Sequence, residues 1–344
     1  MISTRSFGAV RLIAALLVFV LFAGCNKAKD SSSTSSESGS ESSVESGQIE
    51  SDDSGDEQWF KLSLAQWSLH KMIQSGELDP VDFAQKASEL GFSGIEYVSA
   101  LYENYLEKGD DPEKAMQELL MILKDRSAHF QVENVLIMVD GQGHLAELDD
   151  VKRNQSVNNH KKWVDAAAFL GCHSIRVNAH GEGSEEEVAA AAVDGLSALA
   201  GYAAEKGINV IVENHGGYTS NGQWLANVMK QVNLPNCGTL PDFGNFCINV
   251  SYGSINAEEC EDVYDIYKGV AELLPYAKGV SAKTYDFDDA GNQPLIDYNR
   301  MMKVVKDGGY TGYIGVEFEG DSMTELEGIE ATRRLILKAA GELK

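Results

Sequence analysis

Acidic side chains follow short apolar segments at three widely separated places in the sequence. Glu213 follows a Val-Ile-Val run, Asp242 follows Leu-Pro, and Glu317 lies in the segment GVEF. Such runs are typical of buried parallel strands, and α/β folds build their sites at the carboxyl ends of those strands. We therefore predict that these carboxylates meet at one rim, where their repulsion requires a divalent metal or a cation such as Lys283. The structural alternative for Glu213 is an ordinary ion pair with a neighbouring Lys or Arg.

Polar and aromatic residues near other strand ends form the predicted substrate site. Histidine, asparagine and arginine side chains would hydrogen-bond polar groups of a substrate, whereas an aromatic ring at a strand end stacks on a substrate ring or belongs to the core. Arg176 has two interpretations, an anchor for an anionic group or an internal ion-pair partner. The residues predicted to bind substrate are Trp67, His70, Glu96, Arg176, Asn178, His180, His215 and Asn245, with Tyr97, Phe243, Trp224 and Asn214 as further candidates.

Lys283 has three interpretations. It would stabilise negative charge on a substrate oxygen, form a Schiff base, or simply pair with Asp242, and only a depressed pKa would favour the Schiff base. The histidines outside the predicted rim, His129, His160 and His173, are predicted to be structural. The segment 141–144, Gly-Gln-Gly-His, is predicted to be a turn.

Apolar strand-like segments alternate with helical patterns eight times between residues 58 and 344. Eight β-then-α units predict one α/β domain, a single (β/α)₈ TIM barrel. An open doubly wound sheet is the alternative, but no glycine-rich phosphate loop follows the first strand. The predicted strands are Phe60–Trp67, Gly94–Ser99, Val132–Val139, Ser174–Asn178, Asn209–Asn214, Gly238–Pro241, Gly279–Lys283 and Tyr313–Phe318. The predicted helices are Pro80–Leu90, Pro112–Ala128, Val151–Leu170, Ser184–Lys206, Gln223–Val232, Glu261–Leu274, Asp297–Asp307 and Met323–Ala340.

The first 24 residues have the three-part pattern of a secretory signal. The small pair before Cys25 resembles a bacterial lipoprotein signal, which implies a lipidated Cys25; an ordinary cleaved signal peptide is the alternative. Residues 25–57 are rich in Ser, Glu and Asp and are predicted to be a flexible linker. The pattern predicts an exported protein that is lipid-anchored to the bacterial cell envelope, on its periplasmic or surface side, and touches the membrane only through that anchor.

The chain is strongly acidic, with a net charge of −25. The two arginines of residues 1–24 contribute a charge of +2, and the two lysines and nine acids of residues 25–57 contribute −7. Residues 58–344 therefore carry a net charge of −20. A field of that sign repels nucleic acid, so we predict no nucleic-acid partner. The cysteines after Cys25, which are Cys172, Cys237, Cys247 and Cys260, form no zinc-type cluster. Export permits disulfides between them, but two of them open apolar strands, so we predict buried thiols.

The carboxylates lie in the motifs VENHGG (212–217), LPDFGNF (240–246) and GVEFEG (315–320), and Lys283 ends VSAK (280–283). In this order, with LGCHSIRVNAHG at 170–181, they resemble the xylose isomerase-like TIM barrels, also called sugar phosphate isomerases/epimerases. The resemblance covers residues 58–344.

The family resemblance implies a divalent metal, manganese, magnesium or zinc, held by Glu213, Asp242, Glu317 and a histidine. This chain departs from the family at that histidine, because Ser281 stands in its place. Either the metal is bound more weakly, with water, His180 or His215 filling the gap, or the site works without metal.

The resemblance also implies a reaction on a small-molecule carbohydrate. Glu213 and Glu317 would move a proton at the carbon next to a sugar carbonyl, while a metal or Lys283 stabilises the enediolate. Three alternatives stay open: a lyase or hydrolase of 3-keto-glycosides, the DNA-cleaving AP-endonuclease branch of the superfamily, and a non-catalytic surface sugar-binding lipoprotein. The acidic charge and the few strand-end histidines argue against the DNA enzyme.

Overall fold

A computed structural model describes residues 58–343, which form eight parallel strands surrounded by helices. The strands are β1 (Lys61–Ala65), β2 (Gly94–Val98), β3 (Glu133–Met138), β4 (Ser174–Val177), β5 (Asn209–Glu213), β6 (Cys237–Leu240), β7 (Val280–Thr284) and β8 (Tyr313–Phe318). Hydrogen-bonded neighbours follow the order β6-β5-β4-β3-β2-β1-β8-β7. Backbone bonds from Lys278 to Thr239 and from Ser281 to Pro241 join β6 to β7 and close the barrel. The predicted signal peptide, the linker and Cys25 lie outside the described residues.

Ten α-helices accompany the strands within residues 58–343. They are α1 (His70–Gln74), α2 (Phe83–Glu89), α3 (Glu103–Leu106), α4 (Pro112–His129), α5 (Asp150–Leu170), α6 (Glu185–Ala204), α7 (Gly222–Val232), α8 (Ile266–Leu273), α9 (Tyr298–Asp307) and α10 (Glu325–Gly341). None of these helices is long and apolar enough to cross a bilayer. The predicted single TIM barrel is confirmed, and its bounds differ from prediction by a few residues, except that α8 begins at Ile266 rather than Glu261.

Side-chain hydrogen bonds fix where the helices begin. α6 starts at a capping box between Ser184 and Glu187, and α10 starts at the equivalent box between Thr324 and Glu327. Each box satisfies amide groups that have no partner inside the helix. α5 ends at Gly171, whose φ of 81° lies in the left-handed region that favours glycine.

The strands separate two apolar cores. Val210 and Val212 on β5 belong to the large cluster shared with the helices, whereas Ile211 belongs to a smaller cluster inside the barrel with Leu136 and Leu240. Because strand side chains alternate between faces, Glu213 lies on the same face as Ile211. The alternation therefore directs the glutamate that ends β5 toward the mouth of the barrel.

The long loop between β6 and α8, residues 241–265, carries a disulfide between Cys247 and Cys260. The prediction of four buried thiols is therefore wrong for these two cysteines, whereas Cys172 and Cys237 are free and buried. Sequence reasoning began the next helix at Glu261, directly after Cys260, whereas that helix begins only at Ile266. The loop instead turns back on itself, and its antiparallel contact between Cys247 and Val263 brings the two cysteines together.

Candidate active site

Glu213, Asp242 and Glu317 meet at the carboxyl ends of β5, β6 and β8. One carboxylate oxygen from each lies within 4.8 Å of the others, and all three side chains are buried. The structure thus brings together the acids that the sequence predicts to converge. Their roles in binding and catalysis stay predictions.

Ser281 bridges two of these carboxylates. Its Oγ lies 2.6 Å from Asp242 Oδ2 and 2.7 Å from Glu317 Oε2. A hydroxyl carries one proton and can donate to only one of them, so the cluster needs a further proton or a cation at neutral pH. Burial raises the pKa of Asp242 to about 7, with Lys283 opposing the shift and Glu317 adding to it.

Arg176 on β4 is an internal ion-pair partner. Its Nε lies 3.0 Å from Glu213 Oε2, and its Nη1 donates to Asp140 Oδ1 at 2.8 Å. Asn245 donates to the other oxygen of Glu213 at 3.1 Å. Burial raises the pKa of Glu213 well above its usual range; Arg176 opposes that shift, and Asp242 and Glu317 add to it. Glu213 therefore forms the ion pair with an arginine that the structural alternative predicted, and it also belongs to the acidic cluster.

Lys283 on β7 is buried between two glutamates. Its Nζ lies 3.6 Å from Glu317 Oε1 and 3.3 Å from Glu319 Oε2. Burial lowers the pKa of Lys283, but the surrounding Glu317, Glu319 and Asp242 carboxylates raise it well above the usual value. A lysine held protonated in this way suits charge stabilisation and does not suit Schiff-base formation.

A cavity of about 770 Å³ opens beside the acidic cluster. Glu317 and Lys283 line it, whereas Glu213 and Asp242 lie buried behind the lining. Of the aromatic residues predicted to stack on a sugar, Trp67 lines the cavity, and Tyr97, Phe243 and Trp224 are buried. Asn214 is also buried, donating to the carbonyl groups of Asp242 and Asn245. The predicted substrate-binding residues that line the cavity are Trp67, Arg176, Asn178, His180, His215 and Asn245.

Two predicted substrate-binding residues, His70 and Glu96, do not line this cavity. His70 stacks on the Trp67 ring, with ring centroids 4.4 Å apart, and its Nδ1 donates to the Trp67 carbonyl. Glu96 is buried inside the barrel, where Ser63 donates to it. A Cβ on Gly315 would lie 2.7 Å from a Glu96 oxygen, so this glycine leaves room for the carboxylate. Strand alternation correctly predicted that Glu96 lies on the inner face of its strand, but it did not predict how deep in the barrel the carboxylate lies.

We expect replacement of Glu96 by glutamine to stabilise the protein at alkaline pH. Burial raises the pKa of Glu96 from 4.5 to about 7. A raised pKa favours the protonated folded state, so its stability contribution is full below pH 4.5 and is lost as pH rises to about 7. In chemical denaturation, Glu96→Gln should be about 1–3 kcal/mol more stable than wild type at pH 8 and close to it at pH 4.5. The exposed Glu107→Gln is the control, and a pH-independent difference would contradict the assignment.

Other residues that sequence reasoning did not place at the site also line the cavity, and four of them carry titratable side chains. Asp140 and His144 come from the loop after β3, which includes the predicted turn, and Tyr252 comes from the disulfide loop. His160, predicted to be structural, lies on α5, lines the cavity and donates to the Ser156 carbonyl. For the three loop residues the only sequence signal is position after a strand, because loop shape decides what reaches the mouth, and His160 lies within α5.

The acidic cluster fits a hard divalent cation. Its donors are oxygens of Glu213, Asp242 and Glu317, with the Ser281 hydroxyl between two of them. Magnesium and manganese prefer such oxygen ligands, whereas zinc prefers nitrogen and sulfur. Among the described residues, no histidine joins this cluster, and whether His180 or His215 completes a metal site stays a prediction.

Comparison with known proteins gives short matches in sequence and long matches in structure. A segment of 55 residues is 38% identical to the C-glycoside deglycosidase alpha subunit of Arthrobacter globiformis and covers 16% of each chain. The 3-keto-D-glucoside 4-epimerase of E. coli superposes with a TM-score of 0.55 at 14% identity, covering 75% of this chain and 94% of that one. A xylose isomerase-like TIM barrel protein from Mycobacterium smegmatis in complex with magnesium superposes with a TM-score of 0.57 at 16% identity, covering 83% of this chain and 98% of that one.

These structural likenesses, at such low identity, show the fold alone. The family model described as xylose isomerase-like TIM barrel matches residues 84–339, most of the chain and nearly all of the barrel. The chain belongs to the xylose isomerase-like TIM barrel family.

Proposed function

We propose that this protein is a sugar isomerase or epimerase that moves a proton at a carbon next to a carbonyl. The observation that carries the proposal is the meeting of Glu213, Asp242 and Glu317 beside a cavity that Lys283 also lines. Carboxylates supply the acid and the base for enolisation, and a fixed cation stabilises the enediolate oxygen. The known sugar epimerase of the same fold supports the same reaction class.

Glu317 and Lys283 would act directly on the substrate. Both line the cavity, and the ammonium lies 3.6 Å from the carboxylate. Glu317 would accept the proton from the carbon, while Lys283 balances the negative charge that develops on the neighbouring oxygen. Trp67 and the exposed Tyr252 offer two aromatic faces at the same cavity for packing against a sugar ring.

Glu213 would hold the second proton. Without a bound metal, burial raises the pKa of Glu213, which favours the protonated form, and Arg176 and Asn245 contact its two carboxylate oxygens. Return of that proton to the opposite face of the enediolate gives the epimer, and return to the neighbouring carbon gives the isomer. Its buried position requires a small movement of the side chain or a water to reach the substrate.

We propose that a divalent metal assists this site. Glu213, Asp242 and Glu317 would hold it, and when bound it would supply Lewis-acid stabilisation of the substrate oxygens. The all-oxygen donor set favours magnesium or manganese over zinc.

Hydrogen exchange with solvent tests the proposed function directly. Purified protein incubated with a keto-sugar in D₂O should place deuterium at the carbon next to the carbonyl, as followed by NMR, with and without added Mn²⁺. Exchange supports the isomerase or epimerase. Binding without exchange would instead support a sugar-binding module with an inactive site. The replacement of the family histidine by Ser281 would be consistent with such a loss of activity.

A lyase acting on 3-keto-glycosides is the second candidate. Two observations favour it: the short match to a deglycosidase subunit, and a cavity roomy enough for a sugar bearing a second group. The same enolising carboxylates would then expel the aglycone from the neighbouring carbon. Release of a coloured aglycone from an oxidised aryl glycoside separates this reaction from epimerisation, which keeps the glycosidic bond.

We also propose that the protein is exported and anchored by a lipid on Cys25. The disulfide between Cys247 and Cys260 supports export, because such bonds persist mainly in oxidising compartments. In bacteria expressing the full chain, labelled palmitate should enter the wild type, and the protein should sediment with membranes. Cys25→Ser should abolish both, whereas Cys172→Ser, which removes a buried barrel thiol, should change neither. Labelling of Cys25→Ser would contradict the anchor.

A further inference from the structure

Both buried cations at the cavity are already neutralised. Arg176 pairs with Asp140 and Glu213, and Lys283 pairs with Glu317 and Glu319. Among the described residues that line the cavity, these two are the only lysine or arginine side chains. Among the described residues there, no unpaired lysine or arginine is therefore left to pair with an anionic group of a substrate.

The acidic groups outnumber the cations around this cavity. Asp140, Glu317 and Glu319 line it, and Glu213 and Asp242 lie directly behind, which gives five carboxylates against two cations. Protonation of the two buried acids, or the binding of one divalent metal, still leaves a formal negative charge. A phosphate or carboxylate on the substrate would enter against this charge in a partly desolvated space, where like charges repel strongly.

The loops after β7 and β8 supply the second, independent observation. TIM barrels frequently bind a phosphate with backbone amides at this position. Here the carboxylate of Asp286, from the loop after β7, occupies those donors. Its Oδ1 accepts from the backbone amides of Asp321 and Ser322 and from the Ser322 hydroxyl, each at 2.8 Å.

The remaining groups of this region are also occupied. Lys71 Nζ donates to the Gly320 carbonyl at 2.9 Å and to Asp321 at 2.6 Å. A Cβ on Gly320 would lie 2.5 Å from Asp286 Oδ1, so the glycine lets the carboxylate approach the backbone. At the start of α10, the Glu327 carboxylate accepts from the Thr324 amide and hydroxyl. Internal carboxylates thus occupy these amide and hydroxyl donors of the loops after β7 and β8.

We infer that the site takes an uncharged sugar or glycoside and rejects sugar phosphates and sugar acids, with Asp286 as the residue that closes the phosphate position. The inference deepens the proposed function and rests on it for the sugar. Two observations support it. The buried cations Arg176 and Lys283 are already paired with carboxylates, and the carboxylate of Asp286 already accepts from the backbone amides that could bind a phosphate.

Binding measurements on the full chain test the inference separately from catalysis. By calorimetry, D-fructose should bind wild type at least about tenfold more tightly than D-fructose 6-phosphate. Equal or tighter binding of the phosphate ester would overturn the inference while leaving the proposed reaction intact. Absence of deuterium exchange with either sugar would instead count against the proposed function.

A gain-of-binding variant decides the role of Asp286, even if neither sugar binds. Asp286→Ala frees two backbone amides and a hydroxyl, so 50 mM inorganic phosphate should raise its Tm by about 2 °C relative to chloride of equal ionic strength. Wild type and Asp289→Ala, which removes an exposed charge from the same loop, should show no such rise. A folded Asp286→Ala variant that ignores phosphate, or a wild type that responds equally, would overturn the assignment. Should Asp286→Ala fail to fold, Asp286→Ser, whose shorter side chain carries no carboxylate to fill those donors, replaces it in the same comparison.

Discussion

Glu317→Gln should abolish proton exchange at the substrate carbon, with a fall in rate of about 10³-fold or more. The amide keeps the shape of the side chain but has no basic oxygen. It also removes one of three oxygen donors from the acidic cluster, so a metal content of about one ion per chain in wild type should drop sharply. Exchange followed by NMR and metal analysis of the purified proteins measure the two effects.

Glu319→Gln is the matched control for that variant. Glu319 also lines the cavity and also pairs with Lys283, at 3.3 Å, but it is outside the acidic cluster. We expect its exchange rate to fall by no more than about tenfold, because it shares in balancing Lys283 without being the base. Equal losses in the two variants would show that the charge around Lys283, and not the base, limits the reaction.

The sequence predicts the barrel well because the fold depends on patterns that local residues carry. The alternation of apolar strands with amphipathic helices, the glycine after α5 and the capping residues before α6 and α10 are all visible in the chain. The disulfide loop is the exception. Its path depends on contacts between residues far apart in the loop, so the pairing of Cys247 with Cys260 could not be predicted from their spacing.

The sequence predicted which face of each strand carries the site residues, but not how deep in the barrel their side chains lie. Strand alternation places Glu213, Glu317 and Glu96 on the inner face of the barrel, yet Glu317 reaches the cavity and Glu96 lies inside the barrel beside Gly315. Depth depends on strand register and tilt, which come from packing across the barrel. The loop residues His144 and Tyr252 carried no pattern at all, because loop conformation alone brings them to the mouth.

The replacement of Lys283 by methionine should reduce both stability and activity. Methionine fills a similar volume but leaves Glu317 and Glu319 without their shared cation, and breaking a buried ion pair costs about 3–5 kcal/mol. Loss of the charge that stabilises the enediolate should also lower exchange by about 10²–10³-fold. Chemical denaturation and deuterium exchange, measured on the same samples, report the two effects.

Lys283→Arg separates charge from covalent chemistry at this position. Arginine keeps the positive charge between Glu317 and Glu319 but cannot form a Schiff base, so the variant should recover most of the stability and a measurable part of the exchange. Treatment of wild type with borohydride and a keto-sugar should add no mass to Lys283, because the carboxylates around it hold the amine protonated. A borohydride-trapped adduct on Lys283, together with an inactive Lys283→Arg variant of normal stability, would make the lysine a nucleophile and replace the electrostatic mechanism.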